Sequence, residues 1–177
     1  MSSPKRLLDA LNTNMAPGDG GLSREQAQAL SEKIVKMSKA DAINVTINAG
    51  LNTNVRFAAN QMSTAGSIVD ATVVVQSAFG PKHAVVTTND LSDEALKRTV
   101  EQAERLAKLA PDDPESMPEL DPQKYIPVNA WFESTAGLTA GERAKAALSA
   151  LEPARAAGDV TAAGFLIVFL LSAMRIG

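Results

Sequence analysis

A chain of 177 residues, 45% of them hydrophobic, can fold as one domain or one domain and part of another. Its formal net charge is −3 and its basic residues are scattered, which excludes the concentrated positive surface that nucleic acid requires. It has no cysteine, which excludes disulfides and thiolate metal sites and leaves cytoplasm as the default compartment.

Residues 1–22 read as a flexible tail. Leu7, Leu8 and Leu11 offer at most one helical turn, and Ala16-Pro17-Gly18-Asp19-Gly20-Gly21 breaks regular structure. No continuous apolar stretch marks a signal peptide here. The first firm element begins at Ser23. Ser23 and Gln26 make a capping box, and Ala27, Leu30, Ile34 and Met37 fall on one helical face. That helix should end near Ser38.

Strands follow. Ile43, Val45 and Ile47 alternate with Asn44, Thr46 and Asn48, the period of a half-buried strand. Gly50-Leu51-Asn52-Thr53-Asn54 reads as a turn, 55–62 as a second strand and Ser63-Thr64-Ala65-Gly66 as another turn. Residues 68–78 and 84–88 complete the set, joined by a hairpin at Phe79-Gly80-Pro81-Lys82. A second helix spans about 92–110. Leu96, Val100, Ala103, Leu106 and Ala107 line its apolar face, and Pro111 ends it. The expected fold is α/β (α+β): two layers, with a four-stranded, mainly antiparallel sheet packed against two amphipathic helices on one face. Residues 23–127 make that domain.

Residues 111–127 are rich in proline and acid and read as a surface connector. Thr139 and Glu142 form another capping box, opening a helix to about Ala157 that Pro153 should kink or split. A strand is expected over 160–171. Its apolar run, 162–171, is far shorter than the roughly 20 residues of a membrane span. Residues 128–177 therefore form a connector helix and strand that open a following region.

Catalytic inventories are thin. A hydrolytic zinc site takes about three protein ligands, usually His with carboxylate. The chain has one histidine, His83, which reads as a surface residue beside a hairpin turn. No Gly-x-Ser-x-Gly elbow and no Gly-x-x-x-x-Gly-Lys loop occurs. Gly18, Gly20 and Gly21 follow no strand, so they are not a dinucleotide fingerprint. Asp112, Asp113, Glu115, Glu119 and Asp121 lack calcium-loop spacing and read as a solvated connector. Arg56, Asn60 and Gln61 are the candidate contact residues. A guanidinium suits carboxylates and carbonyls, and the two amides both donate and accept, as an extended peptide requires. The same side chains could instead pin the local turn.

Arg56-Phe57-Ala58-Ala59-Asn60-Gln61, Phe79-Gly80-Pro81-Lys82-His83, Leu106-Ala107-Lys108-Leu109-Ala110-Pro111-Asp112-Asp113-Pro114-Glu115 and Ala163-Gly164-Phe165-Leu166 stand in an order that resembles the N-terminal domain of the TldD/PmbA family. The resemblance runs from about Leu22 to Leu166. It implies kinship with proteins linked to zinc-dependent peptide cleavage and named for modulating DNA gyrase. TldD-type members carry a His-Glu-x-x-x-His motif well beyond this region, so zinc is implied for them only. PmbA-type members (also called TldE) lack it and act as partners. None of the family's metal ligands maps onto this chain. After Phe165-Leu166 the sequence leaves the family pattern, which suggests a truncation or a frame change.

The expected role is an N-terminal scaffold and substrate-chamber domain, not catalytic alone and with no catalytic, cofactor or metal residues of its own. A peptide or protein partner and a homo- or hetero-oligomer are expected, with residues 160–174 prone to self-association and no nucleic-acid or membrane partner. The alternative is a non-enzymatic protein–protein interaction module.

Overall fold

The computed structural model of the chain describes residues 22–117, 120, 123, 124, 126 and 128–177. The expected tail lies outside them except for Leu22, which packs on the core. Glu119 and Asp121 of the acidic cluster also lie outside.

Strand β1 runs unbroken over Ala42–Ala58 and β2 over Gln61–Phe79. Both turns expected in this region, at 50–54 and 63–66, are strand instead. The chain reverses at Ala59 and Asn60, whose φ angles are 49° and 59°. Positive φ at both central residues is what a two-residue hairpin matched to strand twist requires, and asparagine tolerates it well. A register shift between Arg56 and Phe57 leaves Ser63 as the extra residue of a bulge. The next hairpin lies where the sequence places it. Gly80, at φ 56°, and Pro81 link β2 to β3, Lys82–Thr88.

The last strand, β4, spans Gly164–Ile176 and pairs antiparallel with β1 from Val45 to Phe57. It begins and ends later than the expected 160–171. The sheet order is β3-β2-β1-β4, so the expected count of four strands holds with different members. Two expected strands fuse into β1, and the C-terminal strand takes the fourth place.

Helix ends follow local capping chemistry. Helix α1, Arg24–Met37, opens with the Ser23–Gln26 box: Gln26 N–H donates to Ser23 Oγ at 3.2 Å and Ser23 N–H to Gln26 Oε1 at 2.8 Å. Helix α2, Asp93–Leu109, is capped by Ser92, and α3 is an unforeseen single turn, Glu133–Ala136. Helix α4, Ala140–Ala156, opens with the Thr139–Glu142 box and runs on through Pro153 without splitting. No helix among the described residues is long and apolar enough to cross a membrane.

The helices cover one face of the sheet. Ile34 of α1 and Leu96, Val100 and Ala103 of α2 meet Val45, Ile47, Val73 and Val75 in a fully buried cluster. Leu30 and Met37 pack at its margin, while Leu106 lies on the exposed rim of α2. Glu104 of α2 binds the end of α1, accepting from Ser38 Oγ at 2.9 Å and Lys39 N–H at 2.6 Å. Helix α4 buries Ala147 and Leu151 and packs on β1, β2 and β4. The described residues of the 111–127 connector form no helix or strand, as expected.

A candidate site on the open face of the sheet

Among the described residues, no helix lies on the other face. Along β1 it presents Asn44, Thr46, Asn48, Gly50, Asn52, Asn54 and Arg56, because side chains alternate along a strand. Beside this polar row, β4 presents Phe165, Ile167, Phe169 and Leu171, which are 60%, 47%, 62% and 64% exposed. Such a contiguous apolar strip on an uncovered surface marks an interaction site more often than chance exposure.

Arg56 stands at the hairpin end of this face. Its guanidinium donates to Ser63 Oγ at 3.3 Å and lies 5.9 Å from the centroid of the Phe165 ring. Ser63 Oγ in turn donates to Arg56 O at 3.2 Å, so the bulge holds the arginine in place. Gln61 is exposed at the start of β2, with no side-chain partner among the described residues.

Asn60 faces its own chain. Its Nδ2 donates to Val160 O at 2.8 Å, and its Oδ1 accepts from Ala162 N–H at 2.8 Å. Its backbone N–H donates to Ala162 O at 3.3 Å, and Arg155 donates to its carbonyl. The hairpin tip is thereby clamped to the segment that leads into β4. Arg56 and Gln61 share one end of the molecule with Asn60, but the Asn60 amide is committed internally.

His83 is an exposed residue near the start of β3, its Nδ1 3.7 Å from Asp113 Oδ2. Lys82 and Asp112 make a looser pair at 3.9 Å, and Asp113 N–H donates to Pro81 O at 3.1 Å. The acidic cluster thus ties the connector to the β2–β3 hairpin. Among the described residues, no three of His, Cys, Asp and Glu gather as a metal site would require.

Two concavities border the apolar strip. One, of about 610 Å³, lies between the start of α1, residues 128–131 and the end of β4. The other, of about 260 Å³, is a notch in the open face centred on Gly50. Sequence reasoning misses this notch because its walls come from three strands. The only local signal is Gly50, an interior strand glycine that also reads as a turn.

Residues 45–107 match the model of the PmbA/TldA metallopeptidase domain 1. No curated protein matches the sequence. Among solved structures the chain is similar to TldE from Thermococcus kodakarensis, with a TM-score of 0.66 and 15% identity over 84% of this chain and 34% of that one. It is also similar to a candidate modulator of DNA gyrase from Bacteroides thetaiotaomicron (TM-score 0.69, 12% identity, 87% of this chain and 37% of that one). A third likeness is to a candidate gyrase modulator from Thermotoga maritima (0.59, 12%, 84% and 35%). The chain therefore spans about a third of the length of these solved relatives. With one histidine and no cysteine, its described residues do not fit the zinc centre that a metallopeptidase label brings to mind. Residues 45–107 thus match a PmbA/TldA-type first domain, and the fold built around them is similar to the corresponding part of these three solved structures.

Proposed function

We propose that this domain is a non-catalytic scaffold that forms one wall of a substrate chamber and holds an extended polypeptide against its open sheet face. One observation carries the reading: a row of asparagine amides on the open face of β1, half-buried except for the exposed Asn52, runs directly beside the apolar strip of β4. Amides can pair with the N–H and C=O groups of an extended chain, and the strip can take its apolar side chains. Arg56 and Gln61 contact the chain at the hairpin end, and Asn60 fixes the geometry of that end. Peptide cleavage, where it occurs, belongs to a zinc site in longer or partner chains of the family. This domain's part is positional. Cytoplasm is the compartment that goes with this reading.

Titration of a fluorescent unstructured peptide into the chain tests it. Phe169→Ala should weaken binding by about tenfold, the order expected for losing a buried aromatic contact. Arg56→Ala should weaken it less. Absence of binding, or binding indifferent to Phe169, would sink the proposal.

A second reading rests on the outer edge of β4, which has no strand beside it among the described residues. An apolar edge of this length suits addition of a strand from another protein. The gyrase modulation in the relatives' names would then be a protein contact. The open strand faces carry three basic side chains, His83, Arg56 and Arg175, far apart from one another.

A further inference from the structure

The notch at Gly50 has a defined chemistry. In register across the sheet, Gly50 lies between Leu171 of β4 and Asp70 of β2. A Cβ at Gly50 would stand 2.1 Å from Leu170 O, so glycine is imposed by the close approach of β4. The missing side chain leaves a gap in the polar row, bounded along β1 by Asn48 and Asn52. Phe169 and Leu171 form one wall, and Ile68 and Asp70 the other.

Asp70 is the single acidic side chain on the open face of the four strands. Its Oδ1 accepts from the adjacent Ala71 N–H at 2.9 Å. The other oxygen has no partner among the described residues, and none of the described ion pairs includes it. The cations of this face stand far away. Arg56 is six residues along β1 from Gly50, roughly 20 Å. Arg175 is opposite Thr46 and donates to Asn44, and His83 is on the far edge strand beside Asp113. The notch thus offers apolar walls to an aliphatic stem and a carboxylate to a cationic head.

We infer that the Gly50–Asp70 notch is a specificity subsite for a lysine or arginine side chain of an extended polypeptide lying across the open face. This rests on the polypeptide-holding role proposed above and adds to it the class of residue selected. The stem lies along Phe169, Leu171 and Ile68, and the ammonium or guanidinium pairs with Asp70.

The test is fluorescence anisotropy with labelled unstructured peptides that differ only at a central Lys, Arg, norleucine or Glu. Lys and Arg peptides should bind about threefold more tightly than norleucine, the range of a partly exposed ion pair, and the Glu peptide more weakly still. Salt at about 0.5 M should shrink the preference. Asp70→Asn, which keeps the side-chain shape, should remove it. So should Thr72→Lys, which supplies a cation beside Asp70 on the same face. Equal affinities for Lys and norleucine in the unmodified chain, or a preference that survives Asp70→Asn, would overturn the subsite and leave the polypeptide-holding role standing. Failure of every peptide to bind would overturn both.

Discussion

Asn60 shows how one residue can serve two structural ends. Its φ of 59° suits the tight turn, and its amide mimics a strand by bonding both Val160 O and Ala162 N–H. The two roles separate by substitution. Asn60→Gly keeps the turn and loses the amide bonds; Asn60→Ala loses the amide bonds and also strains the turn. Urea unfolding should show a loss of about 1–2 kcal/mol for glycine and a larger loss for alanine. Hydrogen exchange at Ala162 should rise in both variants. Unchanged protection there would mean that the clamp does not hold the segment. The sequence marks Asn60 as a polar residue ending a strand, but its partners are about a hundred positions away and leave no local trace.

Among the elements, the helices are the most legible. Capping depends on residues three apart, so Ser23–Gln26 and Thr139–Glu142 announce α1 and α4 before any tertiary contact forms. The same boxes predict a pH response. The Glu142 carboxyl is held below the ordinary glutamate range, first by the Thr139 N–H and then by the Thr139 hydroxyl. Glu25, through its backbone and Ser23, and Asp90, through Ser92, are shifted the same way. A pKa lowered in the folded state contributes stability that is present above the unfolded value and lost as pH falls through the folded one. Glu142→Gln keeps the capping hydrogen bond without the charge. The unmodified chain should therefore melt higher than Glu142→Gln at neutral pH, and the gap should close as pH falls below the ordinary glutamate value and through the lowered one. A gap independent of pH would show that the charge contributes nothing. The strands are less legible. Gly50 with its neighbouring asparagines reads as a turn, yet these asparagines sit on the open face, where their amides stay at or near solvent.

At the scale of the whole molecule, the sheet has one covered face and one open face, and its longest exposed edge is β4. Phe165, Ile167, Phe169 and Leu171 lie along that edge on the open side. Antiparallel pairing of β4 with its copy centred on Val168 would oppose Phe165 to Leu171 and Ile167 to Phe169, joining the strips of two molecules. The chain should accordingly sediment as a dimer or larger species at tens of micromolar, and Phe169→Lys should shift it towards monomer. A monodisperse monomer under those conditions would exclude the pairing.

The sequence by itself determined the three long helices, the alternation of the core strands, the Gly80–Pro81 hairpin and the resemblance to the family whose model matches residues 45–107. Each rests on chemistry between near neighbours or on residues kept in order along the chain. Tertiary structure decided the rest. Only the antiparallel pairing of β4 with β1 turns Gly50 from a turn signal into a point of close approach, because a glycine serves either end and the choice lies with the strand beside it. The same pairing brings Leu171, Gly50 and Asp70 side by side across three strands, a juxtaposition that no spacing in the sequence encodes.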